Sequence, residues 1–231
     1  MEFRITDASG GVDEQTLVIS EPRRPNPRNS FTAKRAFDIL VASIGLIFIA
    51  PLLLTVGLLV RLQDGQSSIF AHKRYGQNGR VFSCYKLRSM VPDADLRLQH
   101  LLETDPEAKR EWDLTQKLVN DPRVTPLGRF IRATSIDELP QLINVLKGDM
   151  SLVGPRPISM SERSRYGENF ADYCSVRPGI TGLWQVSGRS NTSYPERVRL
   201  DTAYAKGRTF WGDIMIILKT VPAVVKSDGA C

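Results

Sequence analysis

Histidine and cysteine are scarce in this 231-residue chain, and their scarcity removes several functions at once. Two isolated histidines, His72 and His100, argue against a histidine-based metal cluster and against an ordinary Ser-His-Asp triad. Three cysteines, Cys84, Cys174 and Cys231, are odd in number and far apart, so neither a disulfide framework nor a cysteine-rich zinc site fits. The chain carries no G-x-x-x-x-G-K-S/T loop and no G-x-G-x-x-G run after a strand, so any nucleotide must be held in another way. There is no internal repeat, and the first thirty residues have no apolar run of the signal-peptide kind.

What remains is ordinary globular usage with one exception. Hydrophobic residues make up 42% and charged residues 24%, which excludes wholesale disorder. Residues 1–33 read as a disordered tail, because the run Glu21 to Ser30 is rich in proline and arginine and has no apolar periodicity. The exception follows at once. Between Asp38 and Arg61 lie 22 consecutive uncharged residues, enough for a membrane helix. A buried core helix and a proline-kinked spanning helix are the alternatives to weigh. Residues 21–35 carry a net charge of +4 and residues 61–90 a net of +5, so both flanks belong on the cytoplasmic side by the positive-inside rule. Pro51 falls at the middle of the segment. A helix broken there would enter one leaflet and return, each half of about 11 residues reaching about 16 Å. Ser43 is the expected partner for the carbonyl that the proline frees near residue 47.

Beyond the membrane segment, Ser67–Ala71 and Arg80–Lys86 read as strands around an Asn78-Gly79 turn. Residues 93–120 read as a net acidic helical cap. Leu127–Ala133 and Ser135–Leu146 are amphipathic stretches with basic edges, suited to a membrane surface or to a core. Residues 175–192 read as a loop, and 194–206 and 210–226 as helices. The expected fold is therefore α+β, mainly α with a small β-hairpin. It combines a re-entrant membrane helix over 34–62, a cytoplasmic catalytic globule over 63–226 with amphipathic interfacial helices, and a short tail over 227–231.

Arginines flanked by proline or glycine, in Pro155-Arg156-Pro157, Arg177-Pro178-Gly179 and Gly188-Arg189, suit a diphosphate, because the planar guanidinium matches phosphate oxygens bidentately. Ser135-Ile136-Asp137-Glu138-Leu139-Pro140 admits two readings. Ser135 and Glu138 can form a capping box at a helix start. Alternatively, the adjacent carboxylates near Arg132 can supply a nucleophile and a metal ligand facing a phosphoryl group.

Several stretches, in this order, carry a resemblance. They are Lys34-Arg35-x-x-Asp38, the proline-interrupted apolar segment, Tyr85-Lys86-Leu87-Arg88-Ser89-Met90, Asp137-Glu138-Leu139-Pro140-Gln141-Leu142, the run from Leu146 to Pro157, and Arg177-Pro178-Gly179-Ile180-Thr181-Gly182. Together they resemble the bacterial sugar transferase family, the monotopic polyprenyl-phosphate phosphoglycosyl transferases, in its exopolysaccharide branch. The resemblance implies transfer of a sugar-1-phosphate, of galactose or glucose type, from a UDP-sugar to undecaprenyl phosphate with release of UMP. It implies Asp137 as nucleophile, Glu138 as its acidic partner with Mg²⁺, and Lys86 beside them. Arg88, Arg132, Arg156, Arg177 and Arg189 are then expected near the phosphates. Asp213 and Asp201 are expected to join Glu138 as metal ligands. The implied location is the cytoplasmic face of the bacterial inner membrane, with anionic lipid and a second copy of the chain as further candidate partners. Many members have Ser-Pro at the break where this chain has Ala50-Pro51. A non-catalytic membrane-anchored scaffold is the alternative function. Nucleic acid is not an expected partner, since the two clusters flanking the apolar segment already exceed the whole chain's +6.

Overall fold

The computed structural model describes residues 33–115, 118–187 and 192–225. The tail expected over residues 1–33 lies outside the described residues except for Ala33, as do the C-terminal residues 227–231 and Arg189. The apolar segment forms one helix, α1 (Ala33–Asp64), which continues through Pro51 without an interruption. At 1.5 Å per residue its 32 residues run about 48 Å. Beside the proline, Thr55 Oγ1 donates to the Pro51 carbonyl at 2.9 Å, and the Ser43 bond expected there is not made.

Both ends of α1 dock on the same globule. At the start, Lys34 pairs with Asp213 and donates to the Val153 carbonyl at 3.2 Å. Arg35 donates to the carbonyls of Val145 and Leu146. The buried Asp38 accepts from Ser151 Oγ at 2.8 Å and from the Leu152 amide at 3.2 Å. At the finish, Asp64 accepts from Arg88 at 2.6 Å. Between these ties, Ala42 enters the main core, and Val56 and Val60 join Leu87 and Ile131 in a second cluster. The opposite face presents Leu40, Ile47, Phe48, Leu54, Leu58 and Leu62 to the surroundings. An apolar face of that extent is stable only against a non-aqueous neighbour.

Strands β1 (Ile69–Tyr75) and β2 (Val81–Leu87) form the expected antiparallel hairpin, with Phe70 opposite Lys86 and His72 opposite Cys84. Asn78 and Gly79 both adopt left-handed φ, 59° and 71°, which is why this dipeptide sits at the tip. The acidic cap divides into α2 (Ala94–Thr104) and α3 (Pro106–Thr115). α4 (Pro126–Ala133) is capped by Thr125, whose Oγ1 accepts from the Gly128 amide at 2.9 Å. It buries Ile131 and leaves Phe130 exposed. α5 (Gln141–Lys147) starts just after Pro140 and supplies Leu142 and Val145 to the core. Its Asn144, wholly buried, accepts from the Tyr85 amide at 3.0 Å and donates to the Ser83 carbonyl at 2.8 Å. One amide side chain thus takes the place of a third strand along β2.

The loop expected over 175–192 contains structure of its own. β3 (Ser151–Val153) pairs in parallel with β4 (Gly179–Thr181). The contact is backbone on backbone: a Cβ on Gly154 would lie 2.3 Å from the Arg177 carbonyl oxygen, and one on Gly179 would lie 2.1 Å from the Gly154 nitrogen. The remaining helices α6 (Arg163–Tyr166), α7 (Phe170–Cys174), α8 (Leu183–Ser187), α9 (Tyr194–Gly207) and α10 (Phe210–Val225) close around this pair. α6, α7 and α9 share a hydrophobic cluster of Tyr166, Tyr173 and Val198 with Ile158. Cys84 is buried and free, in keeping with an incidental role.

Replacing Asn144 by leucine strands two buried backbone groups of β2 and should cost about 2–4 kcal/mol. Thermal unfolding of the detergent-solubilised protein, followed by circular dichroism, reads this as a midpoint lower by several degrees. An unchanged midpoint would remove Asn144 from its supporting role.

Candidate active site

Asp137 and Glu138 lie in a single 3₁₀ turn, Ile136–Glu138, packed against β2. The capping box does not form: Ser135 makes no side-chain cap, and the Glu138 side chain turns toward cations instead. Ser135 itself occupies the left-handed region at φ 58°, a conformation that costs a non-glycine residue about 1 kcal/mol. It leads directly into the acid pair.

Lys86, on β2, donates from Nζ to Asp137 Oδ2 at 3.2 Å and to Glu138 Oε1 at 2.7 Å. Arg156, in the loop after β3, pairs with the same Glu138 oxygen at 3.3 Å while its side chain stays 41% exposed, open to a ligand. Arg132 donates from Nε to Ser89 Oγ at 2.8 Å, and its charge is felt at Asp137. Two residues that the sequence reading missed complete the surroundings. Arg74, on β1, donates to the Pro157 carbonyl at 3.2 Å and to Glu162 Oε2 at 3.3 Å, holding the Arg156 loop from outside. Glu162 also accepts from the Ser159 amide and hydroxyl, both at 2.7 Å. The spacing Ser159-x-x-Glu162 is a readable capping signature that could have found it.

The two carboxyls are driven apart. Burial raises the Glu138 carboxyl, but Arg156 and Lys86 outweigh it and bring it to about 2 from the usual 4.5. For Asp137 burial wins: with Glu138 adding to it and Lys86 opposing, its carboxyl lies above the usual 3.8. The Arg156 guanidinium is held more firmly protonated, chiefly by Glu138. Glu138 is thus a fixed anion, and Asp137 a carboxylate deprived of solvent beside cations.

The other expected site residues are elsewhere. Asp213 is buried between Lys34 and Tyr204, whose hydroxyl lies 2.7 Å from its Oδ1, so its oxygens are engaged in the docking of α1. Asp201 is buried against the Tyr166 hydroxyl at 2.7 Å, and burial pushes its carboxyl up to about 7. Neither bonds to the Asp137-Glu138 turn, and among the described residues no three His, Cys, Asp or Glu side chains gather as a metal cage. Arg177 donates from Nε to the Gly148 carbonyl at 3.0 Å, and its charge is felt with those of Arg35 and Asp38 rather than with the acid pair. Arg88 is turned to Asp64. The donor set that does fit Mg²⁺ is the pair Asp137 and Glu138. This ion is commonly bound by one or two carboxylates, with substrate phosphates and water completing its shell.

The acid-and-cation centre beside a long helix with an exposed apolar face has the make-up of an enzyme, and the helix is compatible with a membrane anchor. A family description, bacterial sugar transferase, matches residues 29–227, and the chain belongs to that family. It is 47% identical over 225 residues to an uncharacterized sugar transferase of Haemophilus influenzae and to an undecaprenyl-phosphate galactose phosphotransferase of Salmonella typhimurium. Each alignment takes in 97% of this chain, which spans about half the length of those two relatives. Against the exopolysaccharide production protein ExoY of Rhizobium meliloti it is 46% identical over 198 residues, 86% of this chain and 88% of ExoY.

The opposed shifts give a signed expectation. Because Glu138 stays ionised down to about 2 while its unfolded counterpart protonates near 4.5, its contribution is complete above about pH 5 and is lost as the pH falls toward 2. Asp137, raised, works in the opposite sense. Unfolding midpoints measured from pH 6 to 3 should therefore fall more steeply for the native chain than for Glu138→Gln. Parallel curves would show that Glu138 is not held as an anion.

Proposed function

We propose that this chain transfers a sugar-1-phosphate, of galactose or glucose type, from a UDP-sugar to undecaprenyl phosphate at the cytoplasmic face of the inner membrane. The observation that carries the reading is the Asp137-Glu138 pair under Lys86 and Arg156, adjoining a helix whose free face is apolar. The name of the Salmonella relative points the same way, and that of the Rhizobium relative points to exopolysaccharide production.

In the first step an Asp137 oxygen attacks the β-phosphorus of the donor. The bond from that phosphorus to the bridging oxygen breaks, and UMP departs with the oxygen and its electron pair. Asp137 is left as an acyl phosphate bearing the sugar. In the second step an oxygen of the lipid phosphate attacks the same phosphorus, the bond to Asp137 breaks, and the carboxylate returns. The lipid leaves as a diphosphate-linked sugar. Lys86 and Arg156 stabilise the charge that gathers on the phosphoryl oxygens, and Glu138 keeps both in place. Arg132 lies on the Asp137 side for the same purpose. Glu138 with Asp137 would hold Mg²⁺, which would supply charge neutralisation on the diphosphate. Asp137 must be ionised to attack, so the raised carboxyl places the acidic limb of the rate profile above the usual aspartate value.

Residues 34–62 serve in this reading as a re-entrant anchor and 63–226 as the catalytic globule. In its support, Lys34 and Asp38 at one end and Asp64 at the other bind the same globule. Two ends that grip one globule share that globule's side of the membrane.

Incubated with UDP-galactose or UDP-glucose and Mg²⁺, the intact protein should gain a hexose-phosphate by mass spectrometry. Asp137→Asn should gain nothing and release no UMP; normal turnover by that variant would exclude Asp137 as nucleophile. In intact cells, cysteines placed at Thr32 and Gln63 should both resist an impermeant thiol reagent from outside. Labelling of either one would restore a spanning helix.

A further inference from the structure

Just past the end of β2 stands a cation that the acid pair does not use. Arg88 follows Lys86 by two residues, and its side chain is only 12% exposed. Nη2 donates to Asp64, the last residue of α1, at 2.6 Å. Nε and Nη1 are enclosed and have no hydrogen-bond partner among the described residues. A guanidinium is a rigid fork of five donors, and enclosing most of them unpaired is costly unless an acceptor such as a phosphate can meet them.

The setting says which phosphate. The Arg88 amide donates to the Ser68 carbonyl at 2.8 Å, so backbone and side chain alike are tied to the place where α1 hands over to β1. Around that junction the exposed residues are apolar: Leu58, Leu59 and Leu62 on the last turns of α1, Ile69 and Phe70 at the start of β1. A nucleotide has no use for such a rim, whereas a hydrocarbon chain does. Toward the acid pair, by contrast, the cations run on through Lys86 and through Arg132, which is bonded to Ser89.

We propose that Arg88 receives the phosphate of the lipid-borne acceptor, with Asp64 as the resting counter-ion that this phosphate displaces. Lys86, Arg132 and Arg156 are then left for the donor diphosphate. The assignment rests on the two-step transfer above and divides its cations between the steps.

The test separates those steps in the full chain in detergent, with UDP-galactose or UDP-glucose as donor, whichever the native chain uses. Arg88→Gln should raise the KM for undecaprenyl phosphate about tenfold or more, with a far smaller effect on the rate at which donor alone forms the covalent adduct. Asp64→Asn should lower that KM. Equal losses in both steps would make Arg88 a donor residue, and an unchanged acceptor KM would remove it from the site; either overturns the proposal. Should Arg88→Gln unfold, Arg88→Lys keeps the charge but not the fork, and must show the same KM split. Farnesyl phosphate should inhibit the native chain competitively against undecaprenyl phosphate and lose that effect in Arg88→Gln. Equal inhibition by inorganic phosphate or by phosphatidylglycerol would defeat the assignment to a prenyl-type phosphate. If the native chain forms no adduct, the two-step reading fails by itself, while the acceptor KM under steady turnover still judges Arg88.

Discussion

Two positive charges from distant parts of the chain converge on one oxygen of Glu138, and the architecture around them serves to bring them there. Lys86 comes from the hairpin, Arg156 from the loop behind the parallel pair, and the acids from a turn between α4 and α5. Removing Glu138 would leave Lys86 with Asp137 alone and Arg156 without its carboxylate. The same convergence gives the neighbouring Asp137 its character. It is deprived of water by burial yet kept beside positive charge, a combination that marks functional sites more often than structural ones.

The apolar helix is more than an anchor in this design. Its first turns bind β3 through Asp38 and the Val153 carbonyl through Lys34, and β3 leads directly to Arg156. Its last residue binds Arg88, two positions beyond Lys86. The elements that carry both dyad cations are therefore fastened to opposite ends of one rod. How that helix is seated bears on the geometry of the centre through bonds that can be named. Asp213, which the resemblance implied as a metal ligand, takes part in this fastening.

Much of this was legible in the residues, and the parts that were not share a cause. The apolar run, the Asn78-Gly79 tip and the acid pair are local features whose meaning is carried by adjacent residues. Their physics, whether hydropathy, left-handed backbone or paired carboxylates, needs no knowledge of the rest of the chain. The pairing of β3 with β4, the bridging by Asn144 and the partners of Asp201, Asp213 and Arg177 depend on groups far away in sequence. Three-residue strands have too short a pattern to declare themselves. An aspartate reads alike whether a tyrosine, a lysine or a metal faces it. The capping box between Ser135 and Glu138 failed for the same reason: the local rule was sound, but cations from two other elements outbid the backbone for the Glu138 carboxylate.

The meeting of Gly154 and Gly179 leaves no space for a side chain at either position. Any other residue there would force the two short strands apart and carry the loop that holds Arg156 away from Glu138.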